Sequence, residues 1–280
     1  MLFSLLYGVM KSITSKVSAI KVLPAYGEAM NDYPDLLKEW RKCRRLSQLD
    51  LAHEANVSAR HIAFLETGRS QPSSAMIVHL AEVLDIPVDA RNQMMRAVGF
   101  APRYAATPLD EDTMAPVLNA MLWTLERHAP YPGLALDRVW RIVKMNEPAA
   151  KLFAPLQLSE GQSLLDLITN PMMEEVVENW PQVAHFTALR LRAESSANGG
   201  IPELEAAIEH LKSFVKPSTD APLAPSVPTV YKFGDQRLSM FGTIAQFSTV
   251  ADETLDDLKI ELFFPADSQS EALLKALAGS

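Results

Sequence analysis

The stretch SQLDLAHEANVSARHIAFLETGRSQPS, Ser47 to Ser73, restricts the fold more than any other part of the chain. It holds two short apolar-periodic runs with only a few residues between them. Ser47 stands where a helix N-cap belongs, and Asp50 follows three residues on, close to a capping box. Leu49, Leu51, Ala52 and Ala55 give this helix a buried face. Asn56 falls in a turn too short to be a loop, and asparagine tolerates the left-handed backbone such a turn needs. Ser58 caps the following helix, Ile62 and Leu65 point inward, and Gly68 stops it. Arg60, His61, Ala63 and Phe64 are left for solvent.

Two helices joined by so short a turn describe a helix-turn-helix, whose second helix enters the DNA major groove with its N-terminal residues against base edges. Arg60 carries a planar fork that fits guanine O6 and N7 together, worth about 1–3 kcal/mol of discrimination. Ala59, Ala63 and Phe64 can touch a thymine methyl. Gln48, in the first turn of its helix, suits a phosphate, as do Ser58 and Arg69. His61 reads equally as solvated surface or base contact. A generic three-helix bundle explains the periodicity alone. The joint pattern of two capped helices, an Asn turn and E-T-G-R favours DNA.

The surrounding residues, Pro34 to Val98, complete an all-α bundle. Leu36, Leu37, Trp40 and Arg44 recur at helical spacing. A fourth helix after Pro72 turns Met76, Ile77, Leu80 and Leu84 inward, and a fifth spans Val88 to Val98. This segment from Pro34 to Tyr104 holds ten Lys/Arg against eight Asp/Glu, about +2, in a chain of net charge −8. The remainder after Tyr104 is near −11, so the two halves suit different partners. One cysteine, Cys43, excludes an internal disulfide framework and a thiolate metal cluster, fits a reducing cytoplasm, and reads as a plain structural thiol. The N-terminal run is broken by Lys11 and Lys16, too early for the roughly 20 residues of a membrane helix. Residues 1–30 read as an extension, with Met1 or Met30 as the start, or as an amphipathic helix.

After a 31–98 DNA-binding domain, the Pro-rich stretch 99–116 reads as a linker and 117–280 as a second domain. A helix near Val117 to Arg127 leads to two short strands turning at Asp137–Arg138, then the helix NEPAAKLFAPL. Helices dominate to Val215, a Pro-rich loop follows, and strand-like runs close the chain. In LKIELFF, Leu258, Ile260, Leu262 and Phe264 share one face, opposite Lys259 and Glu261. These features suggest an α+β sensor domain. The strand Val139 to Asn146 and the run Arg237 to Val250 are apolar on both faces, as in a closed core or a cavity wall. A cavity would favour Trp140, Phe153, Phe241 and Phe247, with Arg141 or Arg190 holding a ligand carboxylate.

No catalytic residue, metal site or required cofactor is expected. G-x-S-x-G, a P-loop, a Rossmann glycine set and H-E-x-x-H are absent from the sequence. The six histidines lack ligand spacing. The pairs Glu174–Glu175 and Asp256–Asp257 would point apart on a helix. An enzyme tethered to a DNA-binding head is therefore the weaker alternative. A DNA-bound module whose second domain binds a protein is another.

Arg41 to Ala52, Val57 to Arg69 and Pro72–Ser73 resemble the XRE family, whose fold is the five-helix lambda-repressor-like domain. The resemblance implies a buried ion pair between Arg41 and Glu66, and base contacts at Ala59, Arg60, Ala63 and Phe64. Asn56 stands where that family usually has Gly. DARNQMMRAVGFAPRY, PYPGLALDRVWRIVKMNEPAAKLF and IELFFPAD extend the resemblance to MmyB-like regulators. That resemblance implies a C-terminal PAS-like ligand-binding domain, a fatty acid or similar amphipathic ligand, and a homodimer on a double-stranded operator with two half-sites.

Overall fold

The computed structural model describes residues 32–214, 226–247 and 252–279. The expected extension 1–30 and most of the Pro-rich loop lie outside these residues. The N-terminal part is five helices: α1 (Tyr33–Cys43), α2 (Gln48–Glu54), α3 (Ala59–Glu66), α4 (Ser74–Val83) and α5 (Val88–Ala97). The sequence signals act as capping chemistry requires. Ser47 Oγ accepts from the Asp50 N–H at 3.1 Å while Asp50 Oδ2 accepts from the Ser47 N–H at 2.9 Å, a complete capping box. Ser58 and Ser73 cap α3 and α4 more simply, each Oγ accepting from one N–H, that of His61 and of Met76. Asn56 and Gly68 take left-handed backbone, with φ of 51° and 68°. Leu37, Leu51, Ile62, Leu65, Ile77 and Leu80 close the core. Leu49 departs from its expected place: it is 69 % exposed, because the inward stripe of the short α2 runs through Leu51, Ala52 and Ala55.

The C-terminal part is built on one antiparallel sheet in the order β2-β1-β5-β4-β3. Its strands are β1 (Gly133–Leu136), β2 (Ile142–Met145), β3 (Thr229–Phe233), β4 (Gln236–Gln246) and β5 (Lys259–Pro265). Helix α6 (Ala115–Arg127) covers one face, where Met121 and Leu125 meet Ala135, Ile260 and Leu262. The opposite face carries a larger cluster beneath α7 (Glu147–Phe153), α8 (Leu164–Ile168), α9 (Met172–Val176), α10 (Trp180–Ala197), α11 (Pro202–Lys212) and α13 (Ser268–Ala278). A short α12 (Glu253–Asp256) lies between β4 and β5 in the chain. The alternation of an α+β protein is present, with one difference. Lys259 and Glu261, on the polar face of β5, are only 4 % and 6 % exposed. Both faces of the central β5 are covered, so its polar side chains must find partners inside.

Val139 and Trp140 are not strand residues. β2 starts only at Ile142, and Trp140 sits in the preceding turn at φ 61° with its ring buried. The stretch 99–116 is not a free tether either. Asn92 Oδ1 accepts from the Arg103 and Tyr104 N–H groups, Thr107 bonds Asp252, and Ala105 bridges Asp252.

Asn146 joins the layers of the C-terminal part. Its Oδ1 accepts from the Gly133 and Ala149 N–H groups, and its Nδ2 donates to the Leu125 and Tyr131 carbonyls. One 6 % exposed amide thus ties β1, α6 and the cap of α7 together. Asn146→Ala leaves buried backbone groups without partners, at about 1–3 kcal/mol each. The variant is expected to lose at least about 2 kcal/mol in denaturant unfolding of the full chain. An unchanged midpoint and slope would show that these bonds are dispensable.

Candidate nucleic-acid interface

Helix α3 is fixed from within. Arg41 on α1 donates from Nε to Glu66 Oε1 at 2.5 Å and from Nη2 to Oε2 at 2.9 Å, while Nη1 donates to the Leu46 carbonyl at 2.7 Å. This is a bidentate pair, with Glu66's side chain 2 % exposed. Burial alone would push the Glu66 carboxyl up. The hydrogen bonds from Arg41 and Gln48 and the Arg41 charge outweigh it and hold Glu66 below the ordinary carboxylate range. The pair expected from resemblance is therefore present.

Its inward pull on the last residue of α3 sets which side of that helix faces out. Ile62, Leu65 and Glu66 are buried, and Arg60 and Arg69 are exposed. Ala63 and Phe64 are half-buried on the outer side. Ala59 is also half-buried but leans on the bundle core. Arg60 and Arg69 both lie over the Phe64 ring, at 5.0 and 6.0 Å from its centroid. Ser58 Oγ accepts from the His61 N–H as the cap of α3, a bond that does not use its own O–H.

Gln48, expected at a phosphate, also supports the buried pair from within. Its Nε2 donates to Glu66 Oε2 at 2.7 Å, giving the buried carboxylate a third donor. The reason is physical: a desolvated carboxylate has more acceptor positions than one guanidinium fills.

The six residues expected around a ligand do not all converge on one cavity. Trp140 and Phe153 belong to the large cluster under the helices, and Phe247 packs on the α6 side. Phe241 stacks on Phe264 at 5.8 Å. Arg141 is exposed and bonds the Gly161 carbonyl. Arg190 is fully engaged by Glu261 at 2.8 and 3.1 Å and by Glu194 at 2.9 Å. Lys259 also binds Glu194, at 2.5 Å, and Trp140 Nε1 donates to the same carboxylate at 2.8 Å. Both cations lie over the Trp140 ring, 4.4 and 4.6 Å from its centroid. Burial pushes the Lys259 ammonium below its usual range. Arg190 is thus no spare anchor for a carboxylate. A separate groove of about 640 Å³ is lined by Met145, Ala150, Ala154 and Leu158 with Glu147 and Glu160. It is open to solvent, and Asn146, Gln157 and Ser159 make its lining mixed.

One connection had no signal in the sequence. Helix α10 carries Arg190 and Glu194 under the sheet and ends on the helical bundle. Arg44 of that bundle donates to the carbonyls of Leu84 and Asp85 after α4, and to those of Ser196 and Ala197 of α10. One guanidinium so serves two helix C-termini, where carbonyls lack intrahelical partners. Cys43 Sγ donates to the Ser196 carbonyl at 3.1 Å. Gly199, just past α10 at φ 77°, lies so close to the Trp40 ring that an added Cβ would meet it at 2.6 Å. Nearby, Asp89 pairs with Arg138, which is 3.8 Å from Asp257. Burial, opposed by Arg138, pushes the Asp257 carboxyl up to about 6.

The buried pair makes two expectations. Glu66→Ala strands Arg41 and is expected to destabilise the helical bundle by about 3–5 kcal/mol. Glu66 is depressed when folded, so its stabilisation is complete above its unfolded value of about 4.3 and lost as pH falls through the lower folded value. Calorimetry should show the bundle's melting temperature falling with acid in that window, and falling less in Glu66→Gln. Equal acid profiles for both chains would contradict the pair.

A family model described as helix-turn-helix matches residues 37–90. Comparison with curated proteins finds no match. The model described as the MmyB-like transcription regulator ligand binding domain matches residues 117–277, more than half of the chain. The chain accordingly belongs to that MmyB-like family, and with a DNA-binding helix-turn-helix ahead of its ligand-binding domain it is a ligand-responsive transcription regulator.

Proposed function

We propose that the chain binds a specific operator in the cytoplasm as a homodimer, with units 31–98 and 117–280 as DNA reader and sensor. Its sensing ligand would be a fatty acid or similar amphipathic molecule. The observation that carries the DNA part is α3, locked from behind by Arg41 and Glu66 with Arg60 outward. Arg60 reads a guanine edge, Ala63 lines the groove beside it, and Arg69 and Ser58 meet phosphate. A dimer would place its two reading helices about 34–36 Å apart, one turn of duplex. Among the described residues no helix is long and apolar enough to cross a membrane.

What supports coupling is the course of α10, from the charges beneath the sheet to the Arg44 and Trp40 contacts. A ligand changes operator affinity only if it binds two arrangements of the dimer unequally. Helix α10 is the element we assign to report that difference. The amphipathic ligand rests on the family.

Selection from a random duplex pool, run with lipid-extracted and lipid-loaded protein, tests the whole reading. A two-half-site consensus whose affinity depends on lipid is expected. Retention of the consensus with no lipid effect would favour a protein partner for the second domain. Arg60→Ala should relax preference at one base pair per half-site; equal losses on all sequences would make it a phosphate contact. Arg69→Ala should weaken all sequences alike and lower the salt slope by about 1. Gly199→Ala forces the α10 end away from Trp40. It is expected to abolish the lipid-dependent difference in operator affinity, and a preserved difference would remove α10 from the route.

A further inference from the structure

We infer that Phe64 reads no base itself: it is a positioning residue, whose ring holds Arg60 for the guanine edge and Arg69 for the backbone. The inference rests on the DNA-binding reading above and assigns Phe64 a role other than the expected methyl contact. Residues 60 and 64 are four apart on α3 and therefore share a face. The Arg60 guanidinium lies 5.0 Å from the Phe64 ring centroid. Arg69 reaches the same ring from beyond the helix end, at 6.0 Å.

That second approach is built into the backbone. Gly68 turns left-handed at φ 68°, and the chain folds back so that the Arg69 and Ser70 N–H groups both bond the Phe64 carbonyl, at 2.9 and 3.2 Å. Phe64 thus fixes Arg69 through its main chain and both arginines through its ring. Phe64 itself is half-buried.

The electrostatics point to a polyanion. Among the described residues, neither Arg60 nor Arg69 has a carboxylate within ion-pair distance. An acidic partner would order an arginine but would have to be given up on binding DNA. An aromatic face orders the guanidinium and leaves its N–H groups unspent. Two cations sharing one ring repel each other, and a phosphate chain relieves that repulsion.

The test measures a base-by-base affinity matrix on the selected operator for the full chain. Variants are Phe64→Leu, Phe64→Met, Phe64→Tyr, Arg60→Ala and the Arg60→Ala/Phe64→Leu double, each checked for an unchanged melting transition. Loss of the platform at an exposed site corresponds to about two- to five-fold. Phe64→Leu and Phe64→Met should each lower discrimination by that factor at the base pair read by Arg60. Phe64→Tyr should retain it, and the double variant should lose no more there than Arg60→Ala alone. Reduced discrimination at a different base pair, with Arg60's preference intact, would make Phe64 a direct reader and overturn the proposal. A matrix unchanged by Phe64→Leu would overturn it too. If the wild-type chain selects no sequence, the DNA reading itself fails, an outcome distinct from both.

Discussion

The buried bond between Arg41 and Glu66 is the constraint from which the DNA-facing geometry follows. It crosses from α1 to the end of α3, and with Gln48 it recruits α2 as well. Three helices so short would be marginal alone, since helices this size draw their stability from packing. A desolvated carboxylate with three donors tolerates little rotation of α3, because turning it inward or outward would strand charge. Hydrophobic burial of Ile62 and Leu65 gives the helix its depth; the ion pair gives it its angular setting. Arg60 faces out because Glu66 faces in.

The C-terminal half uses the same device on a larger scale. Lys259 and Glu261 project from the central strand into a covered layer, where Arg190 and Glu194 of α10 meet them. Trp140 roofs the group, accepting two cations on its ring and donating to Glu194. The four charges balance, which is what allows Lys259 and Glu261 to stay buried and Arg190 and Glu194 to be half-buried beside them. Because two of them ride on α10, and α10 ends against Arg44 and Trp40, any change in this layer has a mechanical route to the helical bundle.

Local signals made the bundle legible. Ser47, Asp50, Asn56, Ser58 and Gly68 each specify a cap or turn through chemistry confined to a few residues, and each performs it. The charged layer was not legible, since an alternating strand looks the same whether its polar side meets water or a second set of charges. Only the three-dimensional approach of Arg190 and Glu194 decides the matter. For the same reason Arg190 looked like a ligand anchor. The bond from Gln48 to Glu66 was not legible either, because that amide suits two partners of like chemistry, a phosphate outside and Glu66 inside. Contacts between Arg44 and α10 join residues more than 150 positions apart, and no periodicity reports them.

The central claim is that Arg60 meets a guanine edge in the major groove. Guanine N7 methylation interference on the selected operator addresses that contact directly. Methylation at one guanine in each half-site should block the wild-type chain, and the Arg60→Ala chain should be indifferent to the same methyl group. Wild-type binding that ignores N7 methylation throughout the operator, or an identical interference pattern in both chains, would contradict the account.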